Sequence, residues 1–488
     1  GRTSSVSQLP TYLNGPCAAL FTSLGPLVFC SFWWLGNKIG HQGLGASVQP
    51  QALLNTTTKK KAKLSIVSCC DMPEDVVYLI LLCLPVISLL RFKSVCKSWC
   101  SLIQSSNFIA QHLNYRSTFK ENYNGNLIIF HCQRKADYPR FPYSVDVNLF
   151  TDEKLEESLN LDLPYYCDRR GKYVDHRGDD NGSSIINLKM VASLDGIICL
   201  HHRESDEILL WNPAIKQLRL LPEGMLHPSR RRTHVGVHLG IGFDVKTNEY
   251  KVVRILLDDL NHTCRVEVYS LSTDSWRIIN TDLPCDCFFS DPKAPLKSEI
   301  YCWLVRISNQ TQDYCDSILT FDFSNELFGT IPLPDVCSIR YDVGSQLDII
   351  SGKIACICRK FSPVSSDTES CSSHNSNSTC HLDIWVLDKY GVKESWTKLY
   401  TIGPFSMFSP MGVLKNGELI LLANNHGLFL CNPLTQEIKN IQVQGRPIQS
   451  QWSLHVASYK ESLVSIEKWN GAANIEAFAG SHFSSTLP

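Results

Sequence analysis

The sequence has no surplus of charge of either sign: 46 Lys and Arg stand against 47 Asp and Glu in 488 residues. A polyanion partner calls for a basic patch, and the only basic clusters are Lys59–Lys61 with Lys63, and Arg230–Arg232. This argues against nucleic acid as the partner. The signatures of common active sites are missing as well. There is no G-x-S-x-G elbow, no H-E-x-x-H pair and no glycine-rich phosphate cradle. We therefore assign no catalytic residue, no cofactor and no metal ligand. Methionine is absent before Met72.

Residues 1–71 hold six of the basic residues and one Asp, leaving 40 basic and 46 acidic residues in 72–488. That mild acidity favours a basic protein partner. No charge lies between Arg2 and Lys38, and Cys17–Gly36 is about long enough to cross a membrane. Gly25–Pro26 would break a helix in its middle. The expectation is that 1–71 is a leader, non-native or disordered, and that a membrane is not a partner. The alternative is a β-rich domain tethered through residues 17–36. An odd total of 21 cysteines, many inside apolar runs, favours a reducing compartment over a disulfide framework. Five N-x-S/T sequons point weakly the other way.

Beyond Met72 the first pattern is helical. Pro73 suits the first turn of a helix, and Glu74 and Asp75 suit the positive end of its dipole. The run Val76–Leu84 is apolar on more than one face and ends at Pro85. Further helices are predicted near Val86–Phe92, Val95–Gln104 and Asn107–Leu113, with Ser106 as a cap for the last. Some 40 residues make too small a core to cover so many apolar faces. The block either docks on its own chain or buries its surplus on another protein.

"MPEDVVYLILLCLPVISLLRFKSVCKSWCSLIQSSNFIAQHL" resembles an F-box over about 42 residues. The resemblance implies a Skp-type adaptor as partner and, through it, a cullin scaffold. It places Pro73, Ile80, Leu81, Leu84, Pro85, Leu89, Leu90, Val95, Cys96 and Trp99 where the family touches the adaptor or builds the helices that do. Met72 stands where Leu is usual. Ile87 stands where Lys is usual, which a solvent-facing position would tolerate.

After about residue 123, short β-branched and aromatic runs alternate with Gly, Asn, Asp and Pro turns. A loose unit of strand, strand, polar turn and strand recurs over Leu194–Pro222, Leu239–Ile279, Ser298–Pro334, Ser351–Ile402 and Asn416–Val443. A period of roughly 40–55 residues predicts a β-propeller of about six blades. A large irregular β-sandwich is the alternative. An aromatic after the polar turn, Trp276, Phe328 or Trp396, is expected to pack between blades. Asn126–Phe130 and Trp452–Glu467 are expected to share a closing blade.

"GIGFDVKTNEYKVVRI", "VEVYSLSTDSWRII", "LLWNPAIKQLRLLP" and "LDIWVLDKYGVKESWTKLYTI" resemble the first type of plant F-box-associated domain. The whole layout looks most like S-locus F-box proteins and their relatives. The fold class is thus an α+β multidomain chain, a small all-α F-box followed by a large all-β, propeller-like F-box-associated domain. Its divisions are 1–71 leader, 72–115 F-box, 123–468 associated domain and 469–488 tail. The resemblance implies a non-catalytic substrate receptor of a Skp–cullin–F-box ubiquitin ligase. It would act in the cytoplasm, in pollen or the pollen tube for an S-locus protein, on a basic S-ribonuclease in self-incompatibility. The alternative is a general plant receptor for another regulatory protein.

Other groupings carry less. Cys285-x-Cys287 and Cys356-x-Cys358 have one-residue spacing, which puts both thiols on one strand face and reads as core packing rather than a zinc site. His201–His202 with Glu204 reads as a solvated turn. Asp152–Glu157 and Arg169–Asp180 read as exposed loops, and Ser362–Cys380 as a flexible insertion. Target choice is expected in the loops Asp152–Asp180, His227–His234, Asp258–Thr263 and Ser362–Cys380.

Overall fold

A computed structural model describes residues 73–118 and, between 126 and 467, the strands and tight turns given below. Outside the described residues lie 1–72, 119–125, 135–142, 175–187, 227–234, 259–262, 290–294, 309–313, 338–344, 362–378, 444–453 and 468–488, with shorter gaps between. The leader and most of the loops expected to choose the target are among them. The chain divides into two compact units, 1–122 and 123–488.

Among its described residues the first unit has four helices: α1 (Glu74–Leu82), α2 (Val86–Phe92), α3 (Lys97–Gln104) and α4 (Ser106–Thr118). Among the described residues, no helix is long and apolar enough to cross a membrane.

The second unit is a six-bladed β-propeller, and the sandwich alternative falls away. Its sheets are antiparallel meanders. Blade 2 is Leu188–Leu194, Ile197–His202, Glu207–Asn212 and Gln217–Leu220. Blade 3 is Val235–Asp244, Glu249–Asp258, Thr263–Ser270 and Ser275–Ile279. In blade 4 the inner strand is split into Cys287–Phe289 and Pro295–Lys297. Both pair with Ile300–Ser308, followed by Tyr314–Asp322 and Leu327–Pro332. Blade 5 is Ser345–Ile350, Lys353–Phe361, Thr379–Leu387 and Trp396–Ser406, and blade 6 is Phe408–Val413, Leu419–Ala423, Leu428–Cys431 and Ile438–Ile441. Blade 1 joins both ends of the domain. The late strand Leu454–Tyr459 pairs with Asn126–Arg134, which continues into Tyr143–Phe150 and Ser158–Asn160. The expected closing blade is therefore present. The inner strands neighbour one another in sequence, and the blade 6 strand meets Leu454–Tyr459 to close the ring.

Local chemistry repeats with the blades. The turn into the outer strand spans Asn212–Lys216, Ser270–Asp274, Asp322–Glu326 and Asn432–Gln436 in blades 2, 3, 4 and 6. In each, the last residue is left-handed, with φ between 53° and 59°. The side chains of Asn212, Asp322 and Asn432 accept hydrogen bonds from backbone N–H groups two or three residues on. This is why Asn and Asp open these turns. Middle strands such as Ile197–His202 and Glu207–Asn212 are buried along their whole length, because neighbouring blades cover both faces. Outer strands are more open: in Ser275–Ile279 only Trp276 is buried.

Trp276 donates its indole N–H to Pro222 O at 2.8 Å, and Trp396 donates to Pro332 O at 3.0 Å. Both reach the preceding blade, as expected. Phe328 packs against Phe321 and Trp303 of its own blade instead. The segment after the closing strand clasps blade 2. Asn212 Nδ2 donates to Val464 O at 2.8 Å, and Arg219 to Ile466 O at 2.7 Å. Gly196 lies under this clasp at φ +84°, and a Cβ there would fall 2.4 Å from Ser462 Oγ.

Blades 3 and 4 are tied by charge. Lys251 binds Asp244 and reaches Glu326 at 2.9 Å, and Glu326 also binds Arg277. Burial alone would raise the Asp244 carboxyl, but the Lys251 ammonium, the Thr247 hydroxyl and the N–H groups of Lys246 and Thr247 outweigh it. They hold the carboxyl well below the usual carboxylate range. A depressed folded value stabilises above the unfolded value of about 4 and is lost as pH falls below it. Asp244→Asn is expected to cost on the order of 2 kcal/mol at pH 7. In urea titrations run from pH 7 towards pH 2, the variant and the parent should converge. A gap that stays constant over that range would show that Asp244 acts by shape alone.

Candidate functional site

The helical block is the candidate site. Pro73 precedes α1 and Glu74 and Asp75 fill its first turn. Pro85 precedes α2, and the extended Cys96 precedes α3. The cap of α4 is one residue earlier than expected: Ser105 Oγ accepts from Phe108 N at 3.2 Å, and the helix begins at Ser106. The core is aromatic at two points. Phe92 packs on Trp99 with ring centroids 5.6 Å apart, and Tyr78 meets Phe108 edge-on at 5.5 Å. His112, buried, pairs its Nε2 with Leu84 O at 2.9 Å and ties α4 to the turn between α1 and α2.

The ten residues singled out from the sequence divide by position. Ile80, Leu81, Leu89 and Trp99 are buried inside the block. Leu84, Leu90 and Val95 are half-buried, and Pro73, Pro85 and Cys96 are exposed. Two apolar side chains outside that list are exposed as well, Leu79 at 46% and Ile87 at 58%. Ile87 does face solvent. The sequence signals that some apolar side chain of α1 stays uncovered, because the helix is too apolar to bury every face, but not that it is Leu79. Hydrogen bonds from Ser98 and from the N–H groups of Ser98 and Trp99 lower the Cys96 thiol's pKa.

In the propeller, His201 and His202 are not in a solvated turn. They end the strand Ile197–His202 and are buried. His201 Nε2 lies 2.8 Å from Asp206 Oδ1, and Ser205 Oγ meets His202 Nδ1 at 2.9 Å. Asp206 in turn binds Arg254, which also binds the fully buried Glu267. Burial lowers the His201 pKa despite Asp206. Glu204 lies outside the described residues. This cluster joins blades 2 and 3. The stretch expected as an insertion ends sooner than Cys380: a strand starts at Thr379, and Cys380 is buried in it. Leu155, inside the charged stretch 152–157, is buried too. The side chains of Cys285 and Cys287 lie outside the described residues. Cys356 and Cys358 are core residues, as expected, but Cys358 is joined to Cys337 by a disulfide.

A helical block with apolar side chains left uncovered, followed by a self-closed propeller, defines a two-module protein. Residues 69–111 match the F-box domain, and residues 143–466 match the F-box associated beta propeller domain. The chain belongs to the F-box-associated propeller family and is an F-box protein. Similar relatives come from Arabidopsis thaliana. One F-box/kelch-repeat protein is 27% identical over 74% of this chain and 88% of its own length. The F-box protein CPR1 is 22% identical over 79% of this chain and 88% of its own length. Among solved structures, the Dos1 propeller matches 62% of this chain and 68% of its own, with a TM-score of 0.32 and 9% identity.

Proposed function

We propose that this chain is the substrate receptor of a Skp–cullin–F-box ubiquitin ligase. The helical block, taken as 72–115, holds a Skp-type adaptor and through it a cullin. The propeller, taken as 123–468, holds a protein substrate, and residues 1–71 and 469–488 lie outside both roles. The chain performs no bond chemistry. It raises the effective concentration of substrate lysines near the ubiquitin-charged enzyme. The observation that carries the reading is the apolar surface the block leaves uncovered, at a place where an F-box family match falls. Pro73, Leu84, Pro85, Leu90, Val95 and Cys96 supply the adaptor-facing surface, while Ile80, Leu81, Leu89 and Trp99 hold the helices that present it.

The test is co-purification with a Skp-type adaptor. Leu84→Asp and Leu90→Asp place charge at half-buried anchors and should weaken capture roughly 30-fold or more, about 2 kcal/mol. Undiminished capture by both would refute the reading.

The finer reading names the substrate as a basic S-ribonuclease met in pollen cytosol. Its support is the S-locus-like layout and the excess of six acidic residues in 72–488. The strand ends that bracket 227–234, 259–262 and 362–378 share one end of the ring, because the strands of each blade alternate in direction. A panel of ribonucleases, with association slowing as salt rises, separates this reading from the general one. Capture of another regulatory protein and of no ribonuclease would favour the general receptor.

A further inference from the structure

Between blades 4 and 5, three cysteines from distant stretches meet. Cys337 lies on the connector that leaves blade 4, where its N–H donates to Pro334 O at 2.9 Å. Cys356 and Cys358 lie on the second strand of blade 5, on the same face. All three are buried, at 5%, 0% and 0% exposure, and their sulfurs lie within 4.8 Å of one another. The Cys356 and Cys358 sulfurs are 3.6 Å apart. The walls are apolar: Ile318, Leu333, Leu347, Ile354 and Trp396 belong to the same core cluster. The Trp396–Pro332 hydrogen bond holds the end of the blade 4 outer strand against blade 5.

We propose that these three thiols form a binding site for a soft monovalent metal ion of the Cu(I) type. Hard cations are excluded by the donor set, since Mg²⁺ and Ca²⁺ want oxygens. Structural zinc closes with four ligands, and among the described residues no fourth His, Cys, Asp or Glu joins the group. Thiol sulfur selects Cu(I), and the three thiols together make a trigonal donor set for it. Each thiol that binds as thiolate releases its proton to solvent. The disulfide between Cys337 and Cys358 removes two of the three donors, so it is the closed form of the site. A thiol reductant opens it: two reductant thiols become the reductant's disulfide, and Cys337 and Cys358 each regain a hydrogen. Cys302 is the natural control. It is buried in the same core cluster but lies outside the convergent group.

The experiment titrates the full chain with Cu(I), anaerobically and after reduction, against a chromophoric Cu(I) chelator. Cys337→Ser, Cys356→Ser and Cys358→Ser should each lose the same single equivalent. Cys302→Ser should keep it, whereas a sample left with the Cys337–Cys358 disulfide intact should lack it. Equal stoichiometry in the parent and all three variants would mean adventitious binding at other cysteines and would overturn the site. Loss in Cys302→Ser as well would overturn the assignment to these three. Should the variants misfold, X-ray absorption on the parent decides: a copper bound by three sulfurs supports the site, and two sulfurs or a nitrogen or oxygen shell removes it.

Discussion

A chain cut after residue 453 is expected to lose the whole propeller, not one blade. The cut removes the inner strand of blade 1, whose register with Asn126–His131 is otherwise complete. It also removes the clasp on blade 2. Six buried apolar side chains go with it: Leu454, Val456, Tyr459, Leu463, Val464 and Ile466. At about 1.5–3 kcal/mol each, their burial is of the same size as the total stability of a typical domain, about 5–15 kcal/mol. Asn212, fully buried, would lose its partners at Ser462 and Val464 and be left unsatisfied. Circular dichroism melts and soluble yield are the measurements. A cooperative transition near the parent's in the truncated chain would show that blades stand alone.

The second large effect falls on Trp99. Its side chain is 7% exposed and packed against Phe92. Trp99→Ala should destabilise the helical block by about 3–5 kcal/mol, enough to melt so small a core. Adaptor capture would then fail by a different route from Leu84→Asp. Hydrogen exchange in the full chain distinguishes them. Amides of 74–115 should lose protection in Trp99→Ala and keep it in Leu84→Asp, with the propeller protected in both. Retained protection in Trp99→Ala would mean that the ring is dispensable to the core and acts at the surface.

The helices were legible because Pro73, Pro85 and the 3–4 residue spacing mark ends and faces directly. Which side chains stay uncovered was not legible, since Leu81 and Leu90 look alike in a run so uniformly apolar. The propeller was legible from its turns, where Asn212, Ser270, Asp322 and Asn432 recur at the same point of the unit. Each unit drawn from the sequence nonetheless began too late, missing all or part of the inner strand. Strands such as Leu188–Leu194 lack alternation, because both faces are covered. The same double burial hid His201 and His202. The meeting of Cys337 with Cys358, 21 residues away across a connector, has no periodic signature at all.

The closure of blade 1 has a consequence for synthesis. Asn126–Arg134 leaves the ribosome more than 300 residues before its partner Leu454–Tyr459 exists. At about 5–20 residues per second, that interval is on the order of 15–65 seconds. Throughout it, Asn126–Arg134 lacks its inner-strand partner, and Leu127, Ile129 and Phe130 lack the strand that helps bury them. An unpaired apolar edge is a template for association with other chains. Each nascent copy of this chain therefore exposes an apolar edge that needs protection by other proteins until the last strand is made.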